Sequence, residues 1–219
     1  MAHNIITIPG TSDVEAKRSH FLADLKTVRT EEEAKAFLDE IRHKYHDADH
    51  HCFAMRIGTP ENVYERFSDD GEPQGTAGKP MLGILKNEEI YDVCAVVTRY
   101  FGGTLLGTGG LLRAYSDSLR EAIDNSCVSQ LMKGIRFSIC CDYSFAERAR
   151  YLAGTMSLFA EKEEFSDVCR MFFLAEEEIY RIFADRIRET SAGKIIPEDV
   201  EEVLFTRKPD GKPLVYTVV

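Results

Sequence analysis

Two short stretches of this chain concentrate side chains and backbone that could do chemistry. The first is glycine-rich: Gly102, Gly103, Gly107, Gly109 and Gly110 are five of the protein's 15 glycines. They follow an apolar, strand-like run and lead into a helix, a placement where backbone N–H groups and a helix N-terminus can cradle an anion. Arg99 just before the stretch and Arg113 inside the helix could add bidentate guanidinium forks. The same glycines could equally serve positive-φ turns and close helix–strand packing with no ligand at all. Neither standard nucleotide loop fits. Thr108 stands where a Walker A loop needs lysine after Gly102-x4-Gly107, and the G-x-G-x-x-G spacing is absent.

The second stretch is acidic: Asp69-Asp70-Gly71-Glu72 places three carboxylates within four positions of a glycine turn. Such a set can hold a hard cation or act as acid and base. Asp and Gly are also what turns use, with Asp69 or Asp70 satisfying loop amides, and this reading is favoured. The spacing is not that of an EF-hand. Four histidines cluster at His43, His46, His50 and His51 beside Cys52. Without an HExxH or a second ligand pair they make no zinc site, and His50, at the mouth of a strand, is the one singled out. His51 and Cys52 are neighbours on that strand and point to opposite faces, which disfavours a Cys–His nucleophile pair. No G-x-S-x-G elbow occurs. No residue is therefore assigned a catalytic or metal-ligating role, and no cofactor is implied.

These stretches must be positioned by regular elements. After a polar preamble through Lys17, read as a loose arm or short edge strand, Ser19 to Val28 alternates like a half-buried strand. Thr30 and Glu33 form a capping box that opens a helix running to about Tyr45, with Ala34, Phe37, Leu38 and Ile41 on its apolar face. Strands follow at His51–Ile57 and Val63–Ser68, and a helix starts within Thr76–Leu85 with Pro80 in its first turn. Tyr91–Tyr100 is continuous and β-branched, as in a central strand covered on both faces. The helix after the glycines is expected from about Leu111 to Asn125, with Leu112, Tyr115, Leu119 and Ile123 on one face.

From about Gly134 the order is strand (Ile135–Asp142), helix (Ser144–Met156, capped by Ser144), two strands (Ser157–Phe165, Asp167–Leu174), helix (Glu176–Glu189) and strand (Val200–Thr206). That β-α-β-β-α-β order is the ferredoxin-like pattern. The chain is therefore read as α+β with two domains, residues 1–131 and 134–219.

Composition narrows the function classes. The protein has 219 residues, 27 Lys+Arg and 37 Asp+Glu, for a formal net charge of −10. Residues 1–133 carry 15 basic and 21 acidic side chains and residues 134–219 carry 12 and 16, so neither part is a basic nucleic-acid module. No apolar run approaches the ~20 residues a membrane-spanning helix needs, so no membrane partner is expected. The start, Met1-Ala2-His3-Asn4, has no signal-peptide character. Six cysteines without a CxxC or regular framework suit a reducing compartment, and a cytoplasmic location is expected.

Three segments carry a resemblance. Arg66-Phe67-Ser68-Asp69-Asp70-Gly71-Glu72-Pro73-Gln74-Gly75-Thr76-Ala77-Gly78-Lys79-Pro80-Met81-Leu82 resembles a signature of the YigZ/IMPACT family. So does Val97-Thr98-Arg99-Tyr100-Phe101-Gly102-Gly103, continuing through Leu106-Gly107-Thr108-Gly109-Gly110-Leu111-Leu112-Arg113-Ala114-Tyr115. Asp47-Ala48-Asp49-His50-His51-Cys52-Phe53-Ala54 is a softer third match. The resemblance implies an IMPACT N-terminal-type domain similar to the second domain of small-subunit ribosomal protein S-five. It implies a C-terminal domain similar to the ferredoxin-like domain V of elongation factor G. Eukaryotic relatives regulate translation under amino-acid starvation by competing for the activator of a starvation kinase, and they carry a different, protein-binding N-terminal module that this sequence lacks.

The resemblance implies one ligand- or partner-binding site comprising His50, Asp69, Asp70, Glu72, Arg99, Gly102, Gly103, Gly107, Gly109, Gly110 and Arg113. The expected function is a translation-associated regulator binding RNA, the ribosome or a ribosome-associated protein through the two loops. A small metal-dependent hydrolase or phosphoryl-transfer enzyme and a protein–protein adaptor are the alternatives. The sequence sets no oligomeric state.

Overall fold

The computed structural model describes residues 3–207 and 211–216. The chain divides into two compact units, His3–Gln130 and Leu131–Val219. Both are mixed α and β.

The first unit contains β1 (His3–Ile8), β2 (Thr11–Ala16), β3 (Ser19–Thr27), α1 (Glu31–Lys44), β4 (His50–Thr59) and β5 (Asn62–Ser68). It continues with α2 (Gly78–Asn87), β6 (Ile90–Tyr91), β7 (Val93–Tyr100) and α3 (Gly107–Asp124). Five strands form an antiparallel sheet in the order β2-β3-β7-β4-β5, with β7 in the middle. Alternation along β7 decides the layers. Val93, Ala95 and Val97 join the core beneath α2 and α3, whereas Cys94 and Val96 join the core beneath α1. The continuous apolar character of this strand thus reflects helices on both faces.

Local differences from the sequence reading have local causes. The preamble forms two strands, β1 and β2. The expected strand from Tyr91 is split at Asp92, which has φ +50° and whose carboxylate accepts the Gly58 N–H at 2.9 Å. Tyr91 belongs to β6, paired in parallel with β1. Thr30 caps α1 by accepting the Glu33 N–H, but the Glu33 carboxylate reaches back one residue further, to the Arg29 N–H. Helix α3 begins four residues early, at Gly107, so three of the glycines lie in its first turn. Its buried stripe runs through Leu111, Tyr115 and Leu119, and Leu112 is exposed.

The second unit is built from β8 (Cys127–Cys141), which starts before the division, then α4 (Tyr143–Thr155), β9 (Phe159–Phe165), β10 (Cys169–Glu176), α5 (Glu177–Thr190), β11 (Glu198–Arg207) and β12 (Pro213–Tyr216). The ladder β9-β10-β8-β11-β12 is antiparallel throughout. Phe137, Ile139, Met171 and Phe173 from the sheet share one core with Ala149 and Ala153 of α4 and Phe183 and Ile187 of α5. Both helices therefore cover a single face. Asp142, not Ser144, caps α4, accepting the Phe145 N–H at 2.8 Å while the Ser144 hydroxyl also donates to it. The closing strand β12 was not foreseen from the sequence. Among the described residues no helix is long and apolar enough to cross a membrane.

Candidate functional site

The site forms where the start of β4 meets the end of β7. The antiparallel register sets His50 directly opposite Arg99 and Phe21 of β3 on the other side of Arg99. Residues paired across such a ladder project to the same face, so register alone brings the histidine and the arginine together.

The acidic loop then closes over them, held by its own side chains. Asp69 accepts N–H bonds from Gly75 (2.7 Å), Ala77 (3.0 Å) and Gly78 (2.8 Å). Asp70 accepts the His51 N–H at 2.7 Å and lies 3.6 Å from the Arg42 guanidinium. The Asp70 carbonyl accepts from His50 Nδ1 at 2.8 Å. A carbonyl oxygen cannot donate, so this bond places the hydrogen on Nδ1 and turns Nε2 toward Glu72. Gly71, at φ +88°, allows the tight reversal between these anchors.

Glu72 is the residue the loop delivers. Its Oε1 accepts from Arg99 Nη1 at 2.6 Å and from the Tyr115 hydroxyl at 2.8 Å, and stands 4.0 Å from His50 Nε2. The Glu72 and Arg99 side chains are 3% and 6% exposed, so this ion pair is removed from water, whereas His50 retains 26%. The Arg99 guanidinium also donates to Ser19 Oγ at 3.4 Å and lies between the Phe21 and Phe101 rings, 5.4 and 5.3 Å from their centroids. Such stacking favours Arg over Lys at this position.

Burial also governs the neighbouring titrating groups. Desolvation pushes the Tyr115 hydroxyl well above its ordinary range, with Cys52 and Glu72 adding to the effect. It pushes the Cys52 thiol up to about 12, against an opposing hydrogen bond from Tyr115. Cys52 donates to the Asp69 carbonyl at 3.0 Å. It is a structural thiol rather than a nucleophile. Iodoacetamide at pH 8 is expected to leave Cys52 unmodified in the native protein and to label it fully in urea, read by mass spectrometry. Labelling in the native state at the rate of a free thiol would contradict this. Because the folded pKa exceeds the ordinary thiol value, the protonated Cys52 favours the folded state. That contribution is whole below the ordinary value of 9.0 and fades as pH rises toward 12.

Not every residue of the expected site converges. His50, Glu72, Arg99 and Gly107 line one cleft of about 420 Å³. Asp69 and Asp70 support the loop from behind, Asp69 by accepting three backbone N–H groups and Asp70 by accepting one and facing Arg42. Gly102 is a packing glycine, since a Cβ there would meet the Arg18 backbone at 2.1 Å. Gly103, Gly109 and Gly110 do not line the cleft, and Arg113 is exposed on α3 away from it.

The residues that sequence reasoning missed are mainly apolar. Phe101, Leu105, Leu106 and Leu111 form the cleft wall, with Leu105 82% exposed. An exposed leucine within a glycine-rich segment was the available signal. Among the described residues no three His, Cys, Asp or Glu side chains group in a way that could hold a metal ion.

Comparison with known proteins places this architecture. The model of the Impact N-terminal domain matches residues 17–123, which include the whole cleft. The IMPACT family member YvyE of Bacillus subtilis (strain 168) is 34% identical over 206 residues, covering 92% of each chain. The IMPACT family member YigZ of Escherichia coli (strain K12) is 41% identical over 136 residues, covering 62% of this chain and 67% of its own. A crystal structure described as that of a hypothetical protein is 31% identical, covers 91% of this chain and 98% of its own, and superposes with a TM-score of 0.59. With likeness extending through both units, the chain belongs to the IMPACT family.

Proposed function

We propose that the protein is a translation-associated regulator that engages a protein partner through the cleft between the acidic loop and the start of α3. Family membership supports the translational setting, because the resemblance links the family to translational control. The observation that carries the choice of partner is the state of Arg99. It is buried and already neutralised by Glu72, so it offers no free positive charge to a phosphate. Arg113, the other cation expected at the site, lies elsewhere. A chain of net charge −10 with an apolar cleft wall suits a protein segment better than an RNA backbone.

The strand order of the second unit supports a ferredoxin-like reading similar to domain V of elongation factor G. The first unit is read as similar to the second domain of ribosomal protein S-five. Six free cysteines support a reducing, cytoplasmic setting. A hydrolase built on Asp69, Asp70 and Glu72 is disfavoured, because each carboxylate already accepts from protein donors and only Glu72 of the three lines the cleft.

The test is affinity capture from lysate with and without nuclease, using the wild type and Leu105→Asp. Leu105 is exposed, so the variant is expected to keep its thermal stability while placing a charge on the apolar wall. Translation-associated proteins should be recovered from wild type regardless of nuclease, and recovery should fall at least tenfold with Leu105→Asp. Recovery abolished by nuclease, or falling steeply with salt, would return the reading to RNA.

A further inference from the structure

We propose that Cys141 and Cys169 form a modification site in the second unit, a dithiol that a peroxide converts to a disulfide. The pair lies wholly within that unit and owes nothing to the reading of the cleft.

Strand register carries the assignment. In the antiparallel ladder of β8 and β10, Cys141 stands directly opposite Cys169. Opposed residues project to the same face. Here both are buried, in the core shared with α4 and α5. The Cα separation across such a ladder, about 4.5–5.5 Å, falls inside the range that disulfides span. Cys141 is the last residue of β8 and Cys169 the first of β10. The pair therefore closes the end of the ladder, where the strands are free to draw together to the shorter Cβ separation of a disulfide.

Other cysteines lack this geometry. Cys52 faces Val97, and Cys94 faces Met55 and Lys26. Cys140 faces Arg170 and, as the neighbour of Cys141 on one strand, projects to the opposite face of the sheet. The paired sulfurs also act on each other. Desolvation, reinforced by Cys169, pushes the Cys141 thiol up to about 11. Burial raises Cys169 as well, against an opposing hydrogen bond from Cys141.

An oxidant has a route to the pair. A cavity of about 440 Å³ is lined by Cys141 together with Cys140, Asp142, Phe145, Arg148 and Lys194. Its volume far exceeds that of hydrogen peroxide, and its charged groups favour hydration. In the first step the Cys141 thiolate attacks one peroxide oxygen. An S–O bond forms, the O–O bond breaks, and the departing hydroxide takes up the thiol proton as water. The Cys169 thiolate then attacks the sulfenic sulfur. The S–S bond forms, the S–OH bond breaks, and the second hydroxide leaves as water with the proton of Cys169. Two thiols thus give two electrons and two protons to one peroxide, which becomes two waters. With so little thiolate at neutral pH, the pair answers sustained rather than brief exposure to peroxide. The product ties β8 to β10 and closes a loop that contains α4 and β9.

The full chain tests this under native conditions. It is treated with excess hydrogen peroxide, its remaining thiols are capped with iodoacetamide in urea, and its peptides are mapped by mass spectrometry. The expected main product is a Cys141–Cys169 linked peptide, lighter by two hydrogens and reopened by dithiothreitol, with Cys52 recovered as a capped thiol. Thermal unfolding of the second unit should rise by about 10 °C on linkage, a rise that dithiothreitol reverses. Cys140→Ser should link as the wild type does. Cys141→Ala and Cys169→Ala should each abolish the linked peptide and the reversible rise.

The wild-type map decides the matter even if an alanine variant fails to fold. Capped thiols at both positions after prolonged treatment overturn the proposal. So does a main linkage through Cys140 or Cys52, or oxidation of Cys141 and Cys169 to sulfinic acids without a bond between them. A linked protein that unfolds at a lower temperature overturns it too, because the native strands would then not accommodate the bond.

Discussion

Glu72→Ala is expected to destabilise the first unit by about 3–5 kcal/mol, the cost of leaving one member of a buried ion pair without its partner. The magnitude follows from what would be stranded. Arg99 would keep only the 3.4 Å contact to Ser19 Oγ and its stacking between two rings, with its charge still out of water. The Tyr115 hydroxyl, on the buried face of α3, would lose its carboxylate acceptor at the same time. Arg99→Ala should cost a similar amount, because Glu72 would retain only Tyr115 and a histidine at 4.0 Å. The paired replacement Glu72→Gln with Arg99→Met removes both charges and roughly keeps volume. It should recover most of the loss and unfold closer to the wild type than either single variant.

Exposed pairs behave differently. Arg150 and Glu163 lie 2.8 Å apart but are 43% and 26% exposed, and breaking that pair should leave stability nearly unchanged. Urea unfolding at constant m-value measures all of these. A loss below about 1 kcal/mol for Glu72→Ala would mean that the pair is hydrated and that the cleft floor is not the sealed structure described.

The same ion pair marks the limit of what the sequence discloses. Elements with a strong period were legible: α1 from its cap and apolar spacing, β7 from its unbroken apolar run, and the β-α-β-β-α-β order of the second unit. These depend on neighbours a few residues apart. Smaller errors arose where a local competitor acted. Asp142 displaced Ser144 as a cap because its carboxylate accepts both the Phe145 N–H and the Ser144 hydroxyl. Asp92 broke a strand by adopting a positive φ that its apolar neighbours did not announce. On α3, Tyr115, Leu119 and Ile123 are buried as their spacing suggests, but Leu111 rather than Leu112 begins the stripe.

The site was legible as a set of residues but not as an arrangement. His50, Glu72 and Arg99 were all named, yet Arg99 was read as a free anion-binding fork. Its neutralisation depends on a partner 27 positions away, brought over it by strand register and loop closure. Tyr115 carried only the signal of a core position, and its hydroxyl could not be placed against Glu72 before the fold was known. The glycine stretch mixed several roles: Gly102 for backbone contact with Arg18, and Gly107 for a positive φ at the helix start. Composition cannot separate those uses.

Asp69 provides the second large effect, because one side chain organises the whole acidic loop. The N-cap of α2 is Ala77, which has no side-chain acceptor. The carboxylate of Asp69, eight residues earlier, takes over that task by accepting the Ala77 and Gly78 N–H groups, and it also accepts that of Gly75. Bonds to a charged acceptor contribute more than neutral ones, and the amides are left unsatisfied when it is removed. Asp69→Ala is therefore expected to lower stability by about 2–4 kcal/mol.

Asp69→Asn separates charge from shape. Asparagine can keep its oxygen on the Ala77 and Gly78 N–H groups, but its NH2 would face the Gly75 N–H, donor against donor, so it should restore only part of the loss. The functional consequence should exceed that of a global stability change. With the loop loosened, Glu72 is no longer delivered over Arg99, and protection of the Glu72–Gly78 amides in hydrogen exchange should fall while that of central β7 persists. Uniform loss of protection across the first unit would show instead that the loop and the sheet unfold together. Full retention in Asp69→Asn would assign the effect to loop shape and remove the carboxylate from its capping role.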